Sequence, residues 1–264
     1  MANLLSELDD RGVLYLVLNR PEVHNAFDSD LVGTLTAALE RAQENRDVRV
    51  IVLTGAGASF SAGADLNWMR SMVGASEQEN EQDALQLARL MRTLNYHDRP
   101  TIACVNGPAF GGGVGLVACC DIAIAADDAR FGLTEVTLGL APAVISPYVE
   151  RCIGERQARR YFLTGERFDA ERAQALGLVH EVVAPGTLDD QRDSLLDRLL
   201  KAGPAAQREC KRLAFTVAGH DRDSQKALDQ HTARVIAAMR ISEEGQEGLN
   251  AFLEKRKPGW TTGE

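Results

Sequence analysis

Glu135 is the one carboxylate in the run Phe131-Gly-Leu-Thr-Glu-Val-Thr-Leu-Gly-Leu-Ala-Pro142. Uncharged neighbours draw such an acid out of water, and desolvation raises its pKa toward the range where it can both take and give a proton. It is a candidate general acid/base. A carboxylate in the first turn of a helix beginning at Thr134 also serves as a plain cap. Asn106-Gly-Pro-Ala-Phe-Gly-Gly-Gly-Val-Gly-Leu116 places a glycine triplet where an apolar helix starts. Helix-initiating N–H groups have no intrahelical acceptor, so they suit an anion or a developing oxyanion. Glycine here also serves close packing of a helix on a sheet. Gly55-Ala-Gly-Ala-Ser-Phe-Ser-Ala-Gly-Ala-Asp-Leu66 is made of small residues, which lets a ligand approach the backbone. Its Asp65 is of a type that caps the next helix. One donor from the helix start and one from a loop would form an oxyanion hole.

Other chemistries fail on particular residues. Phe60 stands where a dinucleotide fingerprint needs its third glycine, no Gly-Lys-Ser/Thr follows, and Ser59 is not in a Gly-x-Ser-x-Gly elbow. The histidines, His24, His97, His180, His220 and His231, lie outside the glycine-rich segments, so no serine-protease triad is indicated. No His/Cys/Asp set has metal-ligand spacing, and no metal is expected.

The elements that must position these groups are legible from periodicity. Short apolar runs at Val13–Leu18, Val48–Thr54, Thr101–Val105, Ile122–Ala126 and Leu178–Val183 are too continuous for half-exposed strands and predict strands buried on both faces. Helical patterns fall at Asp30–Asn45, Glu77–Asn95 behind a Ser76-x-x-Glu79 capping box, and Gly113–Cys120. Alternation of strand and helix predicts an α/β core over residues 1–185. Residues 186–264 carry helical patterns at Leu188–Lys201, Pro204–Val217, Arg222–Met239 and Glu243–Arg256. That helical region is expected to pack on the core or on a neighbouring subunit.

Composition narrows the partners. The chain has 264 residues with 29 Lys+Arg against 38 Asp+Glu, a formal net charge of −9, which disfavours nucleic acid and anionic lipid. Basic pairs such as Arg159-Arg160 and Lys211-Arg212 are expected to be solvated helix faces. Five cysteines, none spaced Cys-x-x-Cys, point to a reduced, cytoplasmic protein. The amino terminus lacks the pattern of a signal peptide, and the longest apolar stretch, Val114–Ala126, is broken by Asp121 and too short for a membrane span.

Together, Asn19-Arg-Pro-Glu-Val-His-Asn-Ala-Phe27, Ser61-Ala-Gly-Ala-Asp-Leu66, Gly107–Gly113 with Cys120-Asp121, Phe131–Glu135, Leu163-Thr-Gly-Glu-Arg167, Ala175-Leu-Gly-Leu-Val179 and Phe252-Leu-Glu-Lys-Arg-Lys257 resemble the enoyl-CoA hydratase/isomerase (crotonase) superfamily, nearly end to end. The resemblance implies a spiral of ββα turns, a C-terminal helical trimerisation region, and a homotrimer or dimer of trimers. It implies an acyl-CoA thioester as substrate, with no separate cofactor. It puts the thioester oxygen on the amides of Ala64 and Gly112, with Glu135 as the acid/base. Ala62 would meet the adenine, Asp65 and Leu66 belong to the same substrate loop, and Lys255 and Lys257 lie in the tail segment that reaches toward CoA.

Hydratases of the family generally carry a second glutamate two residues after the glycine triplet, where this chain has Gly115. A missing carboxylate there predicts a side-chain-sized void beside the substrate. Pro142-Ala-Val-Ile-Ser146 also replaces a glycine-rich run frequent in the family and predicts a reshaped acyl pocket. Together with Arg159-Arg-Tyr-Phe-Leu163, these segments are similar to hydratases of methylglutaconyl-CoA (leucine degradation) and isohexenylglutaconyl-CoA (terpene degradation). The resemblance therefore implies a lyase hydrating a branched enoyl-CoA with one glutamate. A double-bond isomerase is the alternative, and RNA binding, known among relatives, is an alternative of another class. Arg70 is a candidate partner for a distal substrate carboxylate.

Overall fold

The apolar runs of the first half pair into one sheet in the computed structural model, which describes residues 2–184 and 186–261. β1 (Leu4–Leu8) and β2 (Val13–Leu18) are antiparallel, and β3 (Val50–Gly55), β4 (Thr101–Val105), β6 (Ile122–Ala126) and β9 (Glu181–Val183) follow in parallel, in the order β1-β2-β3-β4-β6-β9. A second sheet joins β5 (Ala109–Phe110), β7 (Arg130–Gly132) and β8 (Arg167–Asp169). Alternation along the strands supplies both faces. Val13, Val50, Val52, Ile102, Cys104 and Ile124 form one apolar layer, while Leu14, Leu16, Ile51, Leu53, Ala103 and Val105 enter the main core.

Helices cover both layers. In chain order they are α1 (Ser29–Glu44), α2 (Leu66–Val73), α3 (Glu77–Asn95), α4 (Gly112–Cys119), α5 (Ser146–Ile153), α6 (Glu155–Thr164), α7 (Ala170–Leu176), α8 (Leu188–Lys201), α9 (Pro204–Val217), α10 (Arg222–Ile241) and α11 (Glu243–Leu253). The capping box at Ser76 and Glu79 forms and starts α3. The architecture is a mixed α/β spiral of strand, strand and helix.

Several elements depart from the sequence reading. β1 is an edge strand with four of its five residues outside the core, so it lacks the continuous apolar signal of a buried strand. Leu178 and Val179 belong to the exit turn of α7, where both amides donate to Ala173 O, and the last strand begins only at Glu181. α11 stops at Leu253 because Lys255 turns into the left-handed region at φ 57°. The expected boundary after residue 185 falls on a position outside the described residues.

The helical region packs on its own chain. Leu195 and Leu196 of α8 cover the first strand layer, whereas α9 buries none of its side chains. α10 returns across α3, where buried Asp229 receives Arg92 and Gln225 Nε2, the latter at 2.8 Å. α11 lies on the turn Thr134–Leu138, so close that a Cβ at Gly248 would stand 2.2 Å from Leu138 O. No helix among the described residues is long and apolar enough to cross a membrane.

Candidate active site

Asn25 organises the first donor loop. It is fully buried, and its Nδ2 donates to Ala56 O at 2.9 Å and Ser59 O at 2.7 Å while its Oδ1 accepts from Arg20 N at 2.9 Å. One carboxamide therefore holds both ends of the small-residue turn. Phe27 N donates to Gly63 O at 2.6 Å and Asp65 N to Phe27 O at 2.8 Å, pairing Phe27 with Ala64. The Ala64 amide points away from this pairing and has no acceptor among the described residues.

The second donor is registered against the first. Phe60 N and Ser61 N both donate to Pro108 O, and Phe110 N donates to Ser61 O at 2.9 Å. Gly111 N donates to Gly132 O at 2.9 Å, and Gly111 takes φ 49°, ψ −119°, a conformation closed to other residues, to open α4. The Gly112 amide is left without an acceptor among the described residues. Phe27 spans the two donors: its backbone pairs with Ala64, and its ring packs so tightly on Gly112 that a Cβ there would lie 2.6 Å from it.

Glu135 sits in the first turn of the 3-10 helix Thr134–Leu138. Its Oε1 lies against Gly111, 2.9 Å from where a Cβ would be, and its Oε2 is buried without a partner. The residue as a whole is half-buried, and its Oε2 is out of reach of bulk water. Burial pushes its pKa up to about 7, opposed only by a hydrogen bond from its own backbone. An acid poised there exchanges protons in either direction at neutral pH.

These groups share one cavity of about 370 Å³, with Ala62, Ala64, Gly112 and Glu135 in its wall. Among the described residues Glu135 is the only carboxylate lining it, and its cations are Arg167 and Arg240. The run Pro142–Ile145 lines it. The void expected at Gly115 does not exist. An ideal Cβ at Gly115 would lie 2.3 Å from Ile145 Cγ2 and 3.1 Å from Met91 Cε, so Gly115 faces packed core and does not line the cavity. Asp65 is also off the wall: it caps α2 by accepting from Asn67 N and Trp68 N and pairs with Arg20 at 3.0 Å. Leu66 is exposed, as are Lys255 and Lys257 beyond α11, and the cavity does not include them. Arg70 projects to solvent, donates to Asn67 Oδ1 at 3.2 Å, and is not brought to the site.

The sequence reading missed Phe27, Trp68, Arg167 and Arg240 as wall residues. Phe27 had a local signal, since it ends the Asn-Ala-Phe segment quoted above. Arg240 had none, because α10 reaches the cavity only by tertiary packing. Among the described residues no group of three or more His, Cys, Asp or Glu side chains is arranged to hold a metal ion.

Two unpaired amides facing one cavity with a proton-exchanging carboxylate can polarise a carbonyl and move a proton at a neighbouring carbon. Residues 9–263 match the Enoyl-CoA hydratase/isomerase family. The chain is similar to the crystal structure of an enoyl-CoA hydratase from Shewanella pealeana, with 46% identity and a TM-score of 0.80 over 98% of this chain and 96% of that one. It is 32% identical to crotonyl-CoA hydratase of Syntrophomonas wolfei over 97% of this chain and 96% of that protein. It is 33% identical to 2,3-dehydroadipyl-CoA hydratase of Escherichia coli over 98% of both.

Proposed function

The chain belongs to the enoyl-CoA hydratase/isomerase family, and we propose that within it this enzyme adds water across the α,β double bond of a branched enoyl-CoA using one glutamate. The observation that carries the reading is Glu135: a lone buried carboxylate with one unpartnered oxygen, in the same cavity as the free amides of Ala64 and Gly112.

In this mechanism the thioester oxygen accepts from both amides. That draws electron density from the double bond and makes the β-carbon electrophilic. Ionised Glu135 takes a proton from water as the oxygen bonds to the β-carbon, and the double-bond electrons pass to the thioester as an enolate held by the two amides. Glu135 then returns the proton to the α-carbon as the enolate collapses. Removing one such donor typically costs about 10²–10³ in kcat.

A 3-substituted glutaconyl-CoA is the substrate class we favour. Trp68, Met69, Met72, Leu87 and Ile236 give the cavity an apolar side that suits an isohexenyl arm. Arg167, over the Phe110 ring at 4.8 Å and without an acidic partner among the described residues, supports recognition of a distal carboxylate. Ala62 in the wall is compatible with a nearby adenine. The exposed apolar residues of α9, Leu213 and Val217, support self-association as a trimer or dimer of trimers, in which Lys255 and Lys257 can serve a neighbouring site. All five cysteines are free, which is compatible with a cytoplasmic setting.

Isomerisation is the second reading, and Ile145 is the observation that favours it. With a methyl group filling the space at Gly115, a water molecule meets one carboxylate and an apolar wall, and a single carboxylate suffices to carry a proton between carbons. Loss of the conjugated-thioester absorbance of isohexenylglutaconyl-, 3-methylglutaconyl- and crotonyl-CoA tests the proposal. Hydration of the branched diacid thioesters, abolished by Glu135→Gln, supports it. Absence of hydration together with conversion of a 3-enoyl-CoA to its conjugated isomer selects the isomerase.

A further inference from the structure

Three helices meet on one carboxylate at the edge of the cavity. Arg240 of α10 donates to Asp83 Oδ2 at 2.8 Å and to Asn80 Oδ1 at 3.3 Å, and its guanidinium lies 5.9 Å from the centre of the Trp68 ring. Asp83 Oδ1 accepts Trp68 Nε1 at 2.9 Å. The junction thereby ties α2, α3 and α10 together. The side chains of Arg240 and Asp83 are only 14% and 12% exposed, so the pair is largely out of water, and removing one partner leaves an uncompensated charge.

Trp68 and Arg240 both line the cavity, and Asp83 holds them from behind. Their neighbours in this part of the wall, Met69, Met72, Leu87 and Ile236, are apolar. Methionine side chains rearrange around a ligand at little cost, whereas an indole and a guanidinium fixed to one buried carboxylate do not. Ile236 and Arg240 are four residues apart and share a face of α10, so an acyl tail running past Ile236 next meets Arg240. Because Asp83 already neutralises Arg240, the junction acts as a stop for an apolar tail rather than an anchor for a carboxylate.

We infer that the junction of Trp68, Asp83 and Arg240 sets the greatest acyl length this enzyme accepts, with Arg240 as the specificity-determining residue. The inference rests on the reading of the cavity as an acyl-CoA site. Saturated thioesters separate it from the reaction, because they cannot be hydrated or isomerised.

The test measures calorimetric dissociation constants of butyryl-, octanoyl- and dodecanoyl-CoA for wild type, Arg240→Ala and Arg240→Met. Arg240→Ala opens the end of the chamber and is expected to tighten dodecanoyl-CoA about tenfold relative to butyryl-CoA, roughly what two further buried methylenes give. Arg240→Met retains most of the side-chain length but loses the tie to Asp83, and is expected to shift the ranking in the same direction by less than Arg240→Ala does. Unchanged ranking in Arg240→Ala, or equal shifts in both variants, overturns the length stop while leaving the acyl-CoA site standing. Failure of wild type to bind any of the three overturns the acyl-CoA reading and the length stop with it.

Discussion

Ile145 occupies the space that a side chain at position 115 would need: its Cγ2 lies 2.3 Å from the ideal Cβ of Gly115. Two departures from the pattern that the sequence resembles are therefore one structural event. The unusual run Pro142–Ser146 supplies the methyl that the glycine at 115 admits, and the core closes without a hole.

Restoring a carboxylate by Gly115→Glu is expected to overpack this contact and cost roughly 1–3 kcal/mol. The double variant Gly115→Glu with Ile145→Ala should recover much of that loss. Guanidinium unfolding of the two proteins checks it: equal destabilisation in both would mean that Ile145 is not the obstacle.

Phe27→Ala is expected to lower stability by about 3–5 kcal/mol, since a fully buried ring is lost. Its effect on turnover should be disproportionate. The ring braces Gly112 while its backbone pairs with Ala64, so the spacing of the two donors loosens. Phe27→Leu, which keeps the backbone pairing and part of the packing, should lose less kcat than Phe27→Ala, with KM nearly constant in both.

Asp65→Ala removes a helix cap and one half of a buried ion pair with Arg20 in a single change. A loss of about 3–5 kcal/mol is expected. Asp65→Asn keeps the capping oxygen and should lose less; identical denaturation midpoints for the two variants would show that the cap contributes nothing.

The pH dependence of activity should follow Glu135. Catalysis by the ionised form makes kcat/KM rise with pH through about 7, the value to which burial pushes the group. A pH–rate profile whose lower limb lies near 4.5 would contradict the buried environment.

Stability carries the opposite sign. The folded Glu135 holds its proton to higher pH than the unfolded chain does, so its contribution is full below the ordinary carboxylate range and is lost as pH rises toward about 7. His97 acts the other way. It is buried with Nε2 3.1 Å from Leu39 O and Nδ1 accepting from Arg99 N, and desolvation lowers its pKa to about 4, so stability is lost as pH falls below the ordinary histidine value. Glu135→Gln should therefore raise the urea midpoint at pH 8 and leave it nearly unchanged near pH 4.5. An equal rise at both would point to altered packing instead.

The sequence by itself determined the local decisions. Apolar runs of β-branched residues become strands buried on both faces, Ser76 and Glu79 start a helix, and small residues mark where backbone must approach a ligand. The acid at 135, the glycine-opened helix start and the small-residue loop stood out against their immediate neighbours, whereas the assignment of the donors to 64 and 112 came from the resemblance to a family. Only tertiary structure decided what lies opposite them. Ile145 against Gly115, Phe27 between two loops, and Arg240 against Asp83 join residues 30, 85 and 157 positions apart. Periodicity reports which face of an element is apolar, but not which distant side chain that face will meet, because packing and charge pairing are settled only when the layers close on one another.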